Sequence, residues 1–96
     1  MELFGEKKVL HIKRERQKAR ELRKSRWWHQ KLMEGICYYC QEKFSKDKLT
    51  MDHKVPLSRG GRSTKSNVVV CCKECNNQKK YFTPVELELK KLKKNL

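Results

Sequence analysis

Two pairs of cysteines with the same internal spacing do most to restrict what this chain can fold into. Cys37 and Cys40 stand as CYYC, Cys72 and Cys75 as CKEC, and 31 residues lie between Cys40 and Cys72. A two-residue spacing lets one tight turn present two thiolates, and two such knuckles complete a tetrahedral site for structural Zn2+. The interval exceeds that of a simple zinc finger, so the ion must pin together the ends of a substantial excursion and hold in place whatever lies inside it. The fifth cysteine, Cys71, adjoins Cys72. A spacing of three to Cys75 is permitted, but Cys72 repeats the spacing of the first knuckle, and Cys71 is read as a buried spare thiol. An odd count in two close pairs suits metal ligation better than a disulfide framework. The chain also needs such a device: 96 residues with a hydrophobic fraction of 36% bury only a modest core. Structural zinc contributes on the order of 10 kcal/mol of apparent folding free energy.

Around the knuckles the pattern reads as a small α+β domain. No Gly or Pro occurs from Glu6 to Glu34, which predicts one long helix bounded by Gly5 and Gly35. Residues 7–31 of it carry eleven Lys or Arg against two acids, Glu15 and Glu21. Its apolar positions Val9, Ile12, Ala19 and Leu22 are too sparse for a continuous stripe, while Trp27, Trp28, Leu32 and Met33 crowd the C-terminal end. The expectation is a basic arm projecting from the body and anchored by its tryptophans. In LTMDHKVPL, residues Leu49, Met51, His53, Val55 and Leu57 alternate with Thr50, Asp52 and Lys54, the period of a strand that ends near Pro56. Asp52 and His53 then point to opposite faces unless a bend intervenes. SRGGRSTKS is a loop, SNVVVC a second apolar strand, and CKECNNQKK starts a helix on the second knuckle. Finally, Thr83, Pro84 and Glu86 form a capping box, and Val85, Leu89, Leu92 and Leu96 one stripe of a closing helix suited to packing or dimerisation. The organisation expected is a basic helical arm over 1–34, a zinc-stabilised core over 35–81 and a C-terminal helix over 82–96.

The segments MDHKVPLSRGG and SNVVVCCKECNNQK, in this order between and across the knuckles, resemble the HNH endonuclease family over residues 35–80. The resemblance implies a ββα-metal (His-Me finger) motif, a two-stranded hairpin followed by a helix, and phosphodiester hydrolysis leaving 5′-phosphate and 3′-hydroxyl ends. It places His53 as general base, a role that imidazole suits because its reference pKa is near 6.5. Asp52 and Asn76 take the places of ligands to a catalytic divalent ion. A carboxylate and an amide oxygen are hard donors that suit Mg2+ or Mn2+ rather than the thiolate-bound zinc. Asn67 takes the place of the residue that ties down the hairpin loop and orients the base. At Asn76 many members have His, so this is the HNN variant.

The formal net charge of +14 raises the local concentration of polyanions, making DNA the partner to expect. Arg16, Arg20 and Arg23 on the basic helix, Arg59 and Arg62 in the glycine loop, and Lys79 and Lys80 after Asn76 are the candidate phosphate contacts. No stretch approaches the roughly 20 apolar residues of a membrane span, and the opening residues carry no signal-peptide core, so the expectation is a soluble protein in the reducing cytoplasm. A non-catalytic zinc-knuckle protein binding DNA or RNA explains charge and cysteines equally well. Only a nuclease explains why Asp52 adjoins His53 while Asn76 follows the last zinc ligand. The pattern leaves a homodimer open.

Overall fold

The computed structural model describes residues 3–79 together with 85, 86, 88 and 89. Its elements are α1 (Leu3–Arg23), α2 (Arg26–Glu34), β1 (Leu49–His53), β2 (Val68–Cys72) and α3 (Lys73–Lys79), with short 3-10 turns at Lys46–Lys48 and Leu57–Arg59.

The single long N-terminal helix expected from the sequence is divided at Ser25. This residue adopts an extended conformation, and its hydroxyl serves both halves. The Oγ donates to the Leu22 carbonyl at 2.6 Å, satisfying an orphan acceptor at the end of α1, and accepts from the Trp28 N–H at 3.2 Å, capping the start of α2. The break redirects the chain so that Trp28 reaches the core. Gly35 ends α2 in a left-handed conformation, and a Cβ there would meet the Phe44 carbonyl oxygen at 2.7 Å. Residues 36–43 then fold back as the first knuckle, with Ile36 bridged to Lys43 and the Cys37 N–H bonded to the Glu42 carbonyl.

β1 and β2 pair antiparallel, with Leu49 opposite Cys72, Met51 opposite Val70, Asp52 opposite Val69 and His53 opposite Val68. Opposed residues share a face, so Leu49, Met51 and His53 lie on one side with Val68 and Val70, and Asp52 lies on the other with Val69 and Cys71. The core gathers Leu49, Met51, Val68, Val70 and Cys71 from the hairpin with Ala19 of α1 and Trp28 of α2. Between the strands, Gly61 sits so close to the preceding turn that a Cβ would overlap the Val55 carbonyl oxygen at 1.8 Å, which restricts the position to glycine.

α1 does not project as an arm over its whole length. Its buried and half-buried positions are His11, Ile12, Glu15, Ala19 and Leu22; the last four are spaced 3, 4 and 3 residues apart, and an acid fills the gap in the apolar stripe. Along this line α1 docks on the loop between the strands, while residues 5–10 are exposed. The capping residues Thr83 and Pro84 and the distal Leu92 and Leu96 lie outside the described residues. Of the same stripe, Val85 and Leu89 are described and are 69% and 54% exposed.

Candidate functional site

The sulfurs of Cys37, Cys40, Cys72 and Cys75 all lie within 4.8 Å of one another, a cluster that could hold a metal ion such as zinc. Cys71 is not in the cluster. Pointing to the other face of β2, it is buried, donates to the Cys72 carbonyl at 3.2 Å, and burial pushes its thiol well up. Backbone N–H groups are already directed at the clustered sulfurs: that of Cys72 toward Cys37 and that of Cys75 toward Cys72, each at 3.4 Å. Burial raises the Cys37 thiol, yet the N–H groups of Cys40, Cys72 and Tyr39 outweigh it and bring it down to about 7. Amide donors that stabilise thiolates are the surroundings a bound cation needs. Cys72 ends β2, pairs with Leu49 at the start of β1, and caps α3 through its sulfur. An ion here would close the hairpin and the helix together.

α3 crosses the Asp52 face of the sheet. Lys79, 0% exposed, reaches back from its end to Asp52, which is 6% exposed, with Nζ 3.2 Å from Oδ2. The same ammonium donates to the His53 carbonyl at 2.9 Å and lies 5.8 Å from the centre of the Tyr39 ring. Tyr39 donates its hydroxyl to Asp52 Oδ2 at 2.6 Å. Its phenol is pushed far up, first by burial and then by that bond and the carboxylate charge, so it remains a donor. A buried lysine without a partner is strongly unfavourable. Here it is paired, and the sequence-based expectation that Lys79 contacts phosphate at the surface is corrected: the side chain is spent inside. Tyr39 and Lys79 occupy Oδ2 of Asp52, while Oδ1 makes no hydrogen bond to a described residue. Asn76, half-buried, lies three residues before Lys79 and hence on the same side of α3. Its side chain also has no hydrogen-bond partner among the described residues. Being the fourth residue of α3, it is not the N-cap.

On the opposite face His53 is half-buried, with Nε2 2.9 Å from the Ser63 hydroxyl. Burial holds its pKa below the ordinary imidazole range; the Asp52 charge opposes this, and Arg23 and Lys79 add to it. The shift favours the neutral ring, the form in which an imidazole can accept a proton. Asn67 clamps the loop between the strands from both sides. Its Oδ1 accepts from the Val55 N–H at 2.9 Å, and its Nδ2 donates to the carbonyls of Val55 and Arg62 at 3.1 and 2.8 Å. His53 and Asp52 share a shallow cleft with Ile12, Arg16, Met51, Pro56, Leu57 and Ser58. Larger hollows lie beside the cysteine cluster and beside Trp27 and Trp28, but neither contains Asp52 or His53. An open cleft at the candidate site suits a polymer lying across the surface better than an enclosed small molecule.

A family profile for HNH endonuclease matches residues 37–92, more than half of the chain. The chain belongs to the HNH endonuclease family. No curated protein matches it significantly. The HNH match begins at the first knuckle cysteine and leaves α1 and α2 outside it. Of the arginines singled out in the sequence, Arg16 lines the cleft, Arg20 is exposed and donates to Gln17 at 3.3 Å, and Arg62 is exposed. Arg59 is paired with Glu86, and Lys80 lies outside the described residues.

Three residues around the HNH site escaped the sequence reading. Tyr39 was hidden as a spacer inside the first knuckle, and nothing in CYYC distinguishes it from Tyr38. Ser63 lay in a loop rich in small polar residues. Glu15 did leave a signal: one of only two acids in the basic stretch, it falls on the line of Ile12, Ala19 and Leu22. An acid on the apolar face of a helix must find donors when that face is buried.

Proposed function

We propose that this HNH protein is a metal-dependent endonuclease that hydrolyses phosphodiester bonds of DNA, with His53 as general base. The observation that carries the reading is a half-buried His53 imidazole lining an open cleft beside Arg16, next in the chain to a buried Asp52 carboxylate whose Oδ1 makes no hydrogen bond to a described residue. Asp52 Oδ1 and the Asn76 amide oxygen are the hard donors that would hold Mg2+ or Mn2+, and both lack a hydrogen bond to any described residue. When bound, such an ion supplies Lewis acidity toward a phosphate oxygen and neutralises charge on the leaving oxygen. With Lys79 and Tyr39 fixing Oδ2, Asp52 offers a single ligand oxygen in a defined orientation.

His53 takes a proton from the attacking water, becoming imidazolium as the water oxygen bonds to phosphorus and the ester oxygen departs. Asn67 keeps the loop beside the base from shifting. Arg16, Arg20, Arg23 and Arg62 bind backbone phosphates on either side, and Arg59 does so by exchanging Glu86 for DNA. In this reading the four-cysteine cluster holds structural Zn2+ through its thiolates, and cysteines used for metal ligation rather than disulfides suit a reducing, cytoplasmic setting.

The test is nicking of supercoiled plasmid by the zinc-loaded protein with Mg2+ or Mn2+ added. Cleavage is expected from the wild type and lost in His53→Ala, while zinc content and DNA affinity stay near wild type. DNA binding without nicking under every divalent ion would leave a non-catalytic zinc-knuckle binding protein in its place.

A further inference from the structure

We propose that Ser63 and Glu15 are positioning residues for His53, fixing its tautomer from α1, a helix outside the segment that matches the HNH family. The inference rests on the reading of His53 as general base.

A serine hydroxyl has one proton to give. Ser63 Oγ lies 2.5 Å from the backbone carbonyl oxygen of Glu15 and 2.9 Å from His53 Nε2. The carbonyl can only accept, and two oxygen lone pairs facing each other at that distance would repel, so the hydroxyl proton goes to Glu15. Toward His53 the Oγ is then left as an acceptor, and Nε2 must carry a proton. In the neutral imidazole this leaves Nδ1 as the basic nitrogen. Nδ1 has no hydrogen-bond partner among the described residues and belongs to the ring that lines the cleft.

Ser63 is itself held. Its backbone N–H donates to Glu15 Oε1 at 2.7 Å, and Lys18 pairs with Glu15 Oε2 at 3.1 Å. One turn earlier on α1, His11 Nε2 lies 2.9 Å from the Gly61 carbonyl oxygen, a second grip on the same loop. Glu15 is 4% exposed and Ser63 8%, so water does not compete freely for these bonds. Glu15 thus binds the loop by its side chain and orients the Ser63 hydroxyl by its main chain. No proton travels along this chain during the reaction. Protonation at Nδ1 leaves Nε2–H···Oγ and Oγ–H···O unchanged, so the ring need not turn between its neutral and charged forms.

The experiment reads the tautomer directly by 15N NMR of the His53 side chain in the zinc-loaded full chain, at a pH where the ring is neutral, alongside steady-state nicking. The wild type should show the Nε2–H tautomer. Ser63→Ala should give a mixture of tautomers and lower kcat by about tenfold, a fraction of the ~10²–10⁴ that a general base supplies. KM for plasmid, the Mg2+ requirement and zinc content should not move. Glu15→Ala should behave likewise, and Glu15→Gln, which keeps an acceptor for the Ser63 N–H, should restore most of the loss. A wild-type ring protonated at Nδ1, or Ser63→Ala with unchanged tautomer and kcat, would overturn the proposal. An Nε2–H tautomer in a protein that cuts no DNA would sink the nuclease reading instead, removing the reaction that the anchored ring serves.

Discussion

In residues 35–79 the elements are short, a five-residue pair of strands and a seven-residue helix, and no one of them would persist alone. They are gathered by four sulfurs placed so that a metal ion could cross-link them, and by the ion pair of Lys79 with Asp52. Residues 3–34 are the reverse: a 21-residue helix rich in strong helix formers and a nine-residue one, attached to the body chiefly through Trp28, Ala19 and Glu15. The first region has weak local structure and strong cross-links, the second strong local structure and sparse docking. The proposed catalytic side chains Asp52, His53, Asn67 and Asn76 all come from the cross-linked region, but the ring of His53 is held through the docked one. A site of this kind depends on both kinds of stability at once.

The largest effect should come from breaking the cross-link. Cys72→Ser should lose the bound metal and with it on the order of 10 kcal/mol of apparent folding free energy, leaving the 35–79 region unfolded. Cys71→Ser should keep the metal. Elemental analysis with circular dichroism of the two proteins separates them, and the opposite pattern would transfer the ligand to Cys71.

A smaller effect is expected from undocking the helices. Trp28→Ala should cost about 3–5 kcal/mol, the usual penalty for truncating a buried aromatic, while one zinc per chain is retained. Denaturant unfolding with metal analysis tests this. Loss of metal together with the docking would show that the two regions fold as a single unit and erase the contrast between them.

The smallest effect is a pH dependence of the docking itself. The Ser63 N–H holds the Glu15 carboxyl below its ordinary value of about 4.5 against the opposing effect of burial, with Lys18 assisting. A carboxyl lowered in the folded state contributes stability that is present above the ordinary value and is lost as the pH falls through the lower, folded one. Glu15→Gln should therefore be less stable than wild type near pH 7, and the gap should close on acidification below about 4.5. Urea midpoints across this range measure it. A gap that persists unchanged at the acid end would assign the loss to packing, with no contribution from the charge.

Local rules read from the residues account for much of the molecule. The Cys-x-x-Cys spacings select four of the five cysteines, the alternation through Leu49 to His53 places Asp52 and His53 on opposite faces, and Gly35 stops a helix, because each depends only on geometry within a few bonds or one period of a strand. The order of the DH pair, Asn67 and Asn76 points to the HNH family for the same reason: the motif is a local arrangement repeated in a fixed sequence. What the tertiary structure alone decided are partnerships between distant residues. Whether Lys79 meets phosphate or Asp52 depends on how α3 lies across the sheet, and whether Ser25 is an ordinary helix residue or a joint depends on where Trp28 must go. Whether Glu15 is surface charge or an anchor depends on the loop that α1 meets. A buried charge is tolerated only where another element supplies its partner, and no pattern along the chain specifies which element that will be.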